Sequence, residues 1–246
     1  MDCVTDAGNA LILDCVEMRW RGVFAVHSNV LTLHGGETAS QSTMARYHVY
    51  IKGGQLIVDI PRLDLSGRWE ATAAPFKRTV FQGPQGSVIR DCVQPRSTVH
   101  VRAMGSEFTG LGYAHRIVLT APPWQLPIQS LHRGRFVSGA NSLAWVDWRG
   151  PHSTRYAVHN GVECEPVSVS DSEIVLPHAA LCMENSRILR SGTLGSNYLP
   201  GAPTLGKLLP QAFLAIGQEQ SLSYGDLNGK DLPTGWVIQE TLSWKS

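Results

Sequence analysis

The sequence predicts an all-β, antiparallel fold of two barrel- or sandwich-like units, with one short helix near the C-terminus. Three observations predict it. Runs rich in β-branched and aromatic residues recur along the chain, two pairs of runs are joined by hairpin dipeptides, and one stretch alone has helical spacing.

The elements follow in order. Ala10 to Trp20 and Val23 to Leu33 are strand-like runs. Tyr47 to Lys52 and Gln55 to Ile60 are joined by Gly53-Gly54, and glycine tolerates positive φ at both positions of a tight turn. Ser97 to Met104 and Phe108 to Thr120 are expected to pair across Gly105-Ser106-Glu107. Arg155 to His159 continues into Val162 through Asn160-Gly161, a type I′ turn signal. Ser142 to Trp148, Glu173 to Leu176 and Trp236 to Trp244 are further runs. Leu205, Leu208, Leu209, Leu214 and Ile216 have roughly helical spacing, so a short helix is expected within 205–217, with Pro210 in its first turn and Gly217 as its stop.

Asn9-Ala10-Leu11 before Trp20-Arg21-Gly22 has a counterpart in Asn141-Ser142-Leu143 before Trp148-Arg149-Gly150. Two related units are therefore expected, 1–121 and 122–246, with the proline-rich 122–127 between them.

Composition bounds the function. The 246 residues are 43% apolar and 17% charged, enough for a sizeable core, and the net charge of +1 gives no field for nucleic acid or an acidic membrane. The first residues lack the basic start and apolar run of a secretory signal, and no apolar stretch approaches the ~20 residues of a membrane span. Cys3, Cys15, Cys92, Cys164 and Cys182 are scattered without a Cys-x-x-Cys pair. These features lead to the expectation of a reduced, cytoplasmic protein without a nucleic-acid partner, metal or cofactor. The oligomeric state stays open. Gly-x-Ser-x-Gly and His-Glu-x-x-His are absent, and Gly110-Leu111-Gly112 lacks the rest of a dinucleotide loop. Lys77-Arg78 reads as a solvated loop.

The stretch Pro95-Arg96-Ser97-Thr98-Val99-His100-Val101, followed by Gly110-Leu111-Gly112-Tyr113, resembles the carotenoid 1,2-hydratase (hydroxyneurosporene synthase) family, in which a Pro-Arg-x-x-Val-x-Val strand leads to a Gly-x-Gly-Tyr turn. Thr120 to Ile128 and Ser142 to Gly150 continue the resemblance in order. It implies two lipocalin-like β units side by side and a pocket for an apolar isoprenoid or polyene. The implied activities are hydration, isomerisation or cyclisation, and a lipid or pigment carrier is the non-catalytic alternative. Where the hydratases have an acidic residue two positions after the tyrosine, this chain has His115, with Ile117 in place of their asparagine. A neutral imidazole cannot protonate a C=C bond.

The candidate site residues come from alternation. Leu143, Trp145, Asp147 and Arg149 share one face of their strand, and Ala144, Val146 and Trp148 share the other, expected to pack in a core. Asp147 between tryptophans reads as a desolvated general acid, with Trp145 and Arg149 lining the pocket, or as one half of an ion pair with Arg149. Tyr113, His115, Ile117 and Leu119 share a face. His115 reads as an acid–base group or a structural histidine, and Tyr113 as a ligand partner or a corner tyrosine. Trp124 reads as a hydrophobic lid or a barrel plug. Glu70 and Asp91 are carboxylates that line the pocket or face solvent.

Overall fold

The computed structural model describes residues 1–20, 22–200, 206–207, 209–228 and 234–244. The first sheet contains β1 (Asp2–Val4), β2 (Ala10–Trp20), β3 (Val23–His34), β4 (Glu37–Thr43), β5 (His48–Lys52), β6 (Gln55–Ile60), β7 (Leu65–Ala71), β8 (Phe76–Gly83), β9 (Gly86–Ala103) and β10 (Ser106–Leu119). The second contains β11 (Ser130–Val137), β12 (Ser142–Arg149), β13 (Thr154–His159), β14 (Val162–Cys164), β15 (Ser168–Val169), β16 (Glu173–Val175), β17 (Ala180–Thr193), β18 (Gly217–Asn228) and β19 (Thr234–Ser243). Two single-turn helices are described, α1 (Leu194–Tyr198) and α2 (Gln211–Leu214). The protein is all-β, in two antiparallel sheets.

The two sheets follow one path. The first runs β4-β3-β2-β1-β10-β9-β7-β6-β5 and the second β14-β13-β12-β11-β19-β18-β17-β16-β15, with β8 an added strand on β9. β2 and β12 occupy equivalent places, and the two copies of the Asn-x-Leu motif stand at their starts.

Local chemistry explains most elements. Gly53 and Gly54 have φ of 59° and 79°, and Asn160 and Gly161 have 51° and 82°, the left-handed values that a type I′ hairpin needs. The third hairpin differs from expectation. Its turn is Met104-Gly105, with φ of 52° and 74°, and β9 begins at Gly86 rather than Ser97. Two shifts of register near Tyr113 let this long strand change its buried parity, from Arg90, Cys92 and Gln94 to Ser97, Val99 and Val101.

Gly110 and Gly112 lie within β10, not in a turn. A Cβ on either would collide with the β1 backbone, at Val4 and Asp2 respectively. The Gly-x-Gly pair therefore lets β1 lie against β10.

α2 starts after Pro210, its N-cap, and ends before Gly217, while Leu205 and Leu208 lie outside the described residues. α1 was not expected from the sequence. Thr193 caps it reciprocally with Ser196, a capping box that uses serine in place of the usual Glu or Gln.

Each sheet buries an apolar interior. Trp69, Phe108, Leu11 and Ile60 fill the first, and Trp145, Phe136, Leu143 and Ile174 the second. The opposite faces meet each other in a seam. Val4, Ile12 and Leu31 pack there on Leu189, Leu222 and Ile238, and Phe81 and Val88 on Val146, Trp148 and Tyr156. No described helix is long and apolar enough to cross a membrane.

Candidate functional site

Polar side chains enter this seam from both sheets and form a connected chain. Arg90 on β9 is 2% exposed and donates to Tyr113 Oη at 2.7 Å and to the Trp145 carbonyl at 3.2 Å. The Tyr113 and His115 rings meet edge to face at 5.1 Å. Arg133 on β11 donates from Nη1 to His115 Nε2 at 3.3 Å, and its remaining fork holds Glu240 on β19. Glu240 Oε1 also accepts from Gln218 at 2.5 Å and from Gln220 at 3.2 Å.

Gln218 continues the chain to Tyr198, donating to its hydroxyl at 3.1 Å, and Tyr198 donates to Asp14 Oδ2 at 2.9 Å. Arg190 stands beside Asp14 at 3.6 Å, lies over the Tyr198 ring at 4.8 Å and donates to Asn29 Oδ1. A bulge explains how consecutive Leu189 and Arg190 both turn inward: β17 has an extra residue between Ile188 and Arg190. His27 packs on Tyr198, with ring centres 5.9 Å apart.

A cleft of about 380 Å³ lies beside Arg190, between β3 and β4 of the first sheet and β17 and α1 of the second. Arg190, Asn197, Ser40 and Ser42 line it together with Leu31, Leu189 and Pro200.

The electrostatics set the protonation states. Burial, then the charges of Arg90 and Arg133, push His115 well below the ordinary histidine range, so the ring is neutral. Because Nε2 accepts from Arg133, the ring proton sits on Nδ1, which has no protein hydrogen-bond partner. Burial raises Tyr113 well above the usual phenol range, with Arg90 opposing it. Tyr198 is likewise raised by burial and the charge of Asp14, against Arg190. His115 is thus a neutral hydrogen-bond donor, and Tyr113 and Tyr198 are protonated phenols held by charged neighbours.

The residues singled out from sequence are only partly brought together. Tyr113 and His115 meet, while Ile117 joins an apolar cluster and Leu119 is 41% exposed. Asp147, Trp145 and Arg149 lie on the interior side of β12, away from the seam. Asp147 is 2% exposed and accepts from Arg149 at 2.7 Å and Arg155 at 3.2 Å, so guanidiniums surround it rather than apolar walls. Trp145 is packed in the second interior. Trp124 forms an aromatic contact between units, edge-on to Trp20 at 5.3 Å and to Phe213 at 5.9 Å. Glu70 is exposed on β7, and Asp91 accepts from Arg116 at 2.6 Å. Arg78 is not in a solvated loop: it lies on β8, over the Tyr156 ring at 4.5 Å, and pairs with Glu163.

Sequence reading missed Arg90, Arg133, Glu240, Gln218, Tyr198, Asp14 and Arg190. The one available signal was β-strand alternation, which puts Gln218 with Gln220 and Arg133 with Arg135 on common faces amid apolar residues.

No family model and no curated relative matches the chain by sequence. Solved structures do match by fold. Kievitone hydratase from Nectria haematococca aligns at a TM-score of 0.57 and 9% identity, over 100% of this chain and 87% of its own. An AttH-type protein from Nitrosomonas europaea aligns at 0.61 and 9%, over 98% and 90%. CghA with Sch210972 aligns at 0.60 and 10%, over 99% and 86%. The chain therefore shares its all-β, two-sheet fold with kievitone hydratase and these other proteins.

Proposed function

We propose that this protein is an enzyme that hydrates, isomerises or cyclises an apolar isoprenoid or polyene at the seam between its two sheets, without a cofactor. The observation that carries the reading is the buried chain of titratable groups whose last member, Arg190, lines a cleft. An enzyme of this kind needs proton donors held away from water, and the seam supplies Tyr113, Tyr198 and the Nδ1–H of His115.

The chemistry divides among these residues. Arg90 donates to Tyr113 Oη, and burial keeps Tyr113 a protonated phenol that can offer its O–H to a substrate oxygen. His115 offers a hydrogen bond to a substrate oxygen without titrating. Asp14 accepts a hydrogen bond from Tyr198 and orients its hydroxyl. The kievitone hydratase and CghA folds support the class, and the Pro95–Tyr113 resemblance supports a polyene substrate, while His115 in place of the family's acidic residue weighs against carotenoid-type hydration itself.

The units of this reading are 1–121 and 122–246, each supplying half of the seam, and the setting is the reducing cytoplasm. Burial pushes the Cys3 thiol up to about 12 and that of Cys92 to about 11, so neither is a ready nucleophile. Large apolar side chains fill both interiors, which counts against a pocket inside either β unit for an enzyme and a carrier alike, and the reading therefore moves the substrate to the seam.

The test is incubation with acyclic isoprenoid polyenes, read by liquid chromatography and mass spectrometry. The expected result is a product heavier by one water, or an isomer of altered retention, that falls about 100-fold or more in Tyr113→Phe. Tight retention of polyenes with no conversion by the wild type would replace the enzyme with a carrier.

A further inference from the structure

We infer that the cleft beside Arg190 is an oxyanion subsite, which takes the carboxylate or phosphate end of a substrate whose apolar part runs into the seam. This rests on the reading above that the substrate binds at the seam, and it adds a charged head group to that substrate.

Charge balance is the first ground. Buried charges are normally paired, since an unpaired one costs several kcal/mol. Along the seam, four guanidiniums (Arg90, Arg133, Arg135 and Arg190) face three carboxylates (Asp2, Asp14 and Glu240). Asp2 is taken by Arg135, at 2.5 and 3.1 Å, and Glu240 by Arg133. Arg90 has only phenol and carbonyl oxygens as partners. Among the described residues the seam therefore carries one more positive than negative charge: Asp14, beside Arg190, is the remaining carboxylate, and Arg90 has none.

Arg190 is the second ground, because it is the guanidinium that lines the cleft. Its side chain is 6% exposed; its buried Nη1 makes no hydrogen bond and has Asp14 3.6 Å away, a looser ion pair than Arg133 or Arg135 makes. Tyr198 already donates to the same Asp14 oxygen.

The wall supplies the third ground. Asn29 Nδ2 donates to Ser40 Oγ at 3.0 Å and to Ser42 Oγ at 2.8 Å, so both hydroxyls act as acceptors there and keep their own protons to donate. Asn29 Oδ1 is meanwhile occupied by Arg190. One asparagine thus orients a guanidinium and two hydroxyl donors around a single cleft. Leu31, Leu189 and Pro200 complete the wall with apolar surface for the adjoining carbon chain. Donors around a buried cation, beside an apolar wall, match an organic acid or an alkyl phosphate.

Calorimetric titration tests this with farnesol, farnesoic acid and farnesyl diphosphate, which share one chain and differ in head group, and with benzoate as an acid lacking that chain. The wild type is expected to bind at least one of the two anionic probes about tenfold or more tightly than farnesol. The preferred anion identifies the head group as carboxylate or phosphate. Arg190→Gln should remove that preference and leave farnesol binding in place, while Arg190→Lys should retain part of it. Ser42→Ala, which keeps the buried charge, should reduce it by about threefold if Arg190→Gln does not fold. Farnesol binding as tightly as both anions would overturn the subsite and leave the apolar-ligand reading standing. Benzoate binding in an Arg190-dependent way, with no farnesyl probe bound, would sustain the subsite and overturn the polyene reading. Binding of none of the four would overturn both.

Discussion

The interiors of the two sheets and the seam between them are made by the same strands, yet they are built for different ends. On β12, Leu143 and Trp145 fill the second interior, while Ala144 and Val146 one residue away face the first sheet. The interiors are mainly apolar, with Asp147 and its two arginines the charged group on the second. The seam mixes apolar clusters with buried Arg, Glu, Gln, Tyr and His, and its Arg190 lines the cleft. The fold thus keeps two mainly apolar cores and a third buried layer that is rich in polar and charged groups.

The strongest way to break this division is to damage each layer equally. Glu240→Ala leaves Arg133 without its carboxylate and is expected to cost about 3–5 kcal/mol in urea unfolding. Trp145→Ala should cost a similar ~3–5 kcal/mol by opening the second interior. Measured under conditions where both variants are folded, ligand binding should be lost in the first and kept in the second. Loss in both would show that the interior takes part in binding.

A smaller effect separates the layers by pH. Burial depresses His115, so its folded-state value lies below the unfolded 6.5. At neutral pH both states are uncharged. As pH falls below about 6.5 the unfolded chain takes up a proton that the fold refuses, and stability drops by up to about 1.4 kcal/mol per pH unit. His115→Gln should flatten part of the decline in urea midpoint between pH 7 and 5. His27, His132 and His159, also depressed, should account for the remainder. An unchanged slope in His115→Gln would mean that the histidine is solvated.

Gly134→Ala should be milder again, about 1–3 kcal/mol, because the added methyl would enter the space of the Trp145 ring. It should leave the seam unaltered, and a change in ligand preference would blur the comparison. Ile51→Lys, on an exposed edge strand, should stay within about 0.5 kcal/mol by thermal unfolding.

Legibility followed the range of the interactions. The Gly53-Gly54 and Asn160-Gly161 turns were readable because two adjacent residues determine them. The parity of β12 was readable from alternation, but its consequence was not: both faces are covered, so Asp147 is buried among arginines and Trp145 is core. Tyr113 and His115 were found because they lie two residues apart on one strand. The bulges that turn Tyr113 and Arg190 inward carry no plain sequence signature.

By itself the sequence determined the all-β class, most strand positions, two hairpin turns and the presence of two related halves. These depend on residue type, alternation and neighbours a few positions apart. Only the tertiary structure decided the site. Arg133 reaches Glu240 across 107 positions, and Arg190 reaches Asn29 across 161. The first arises when β11 and β19 pair within one sheet and the second when the two sheets dock, and no local pattern encodes either.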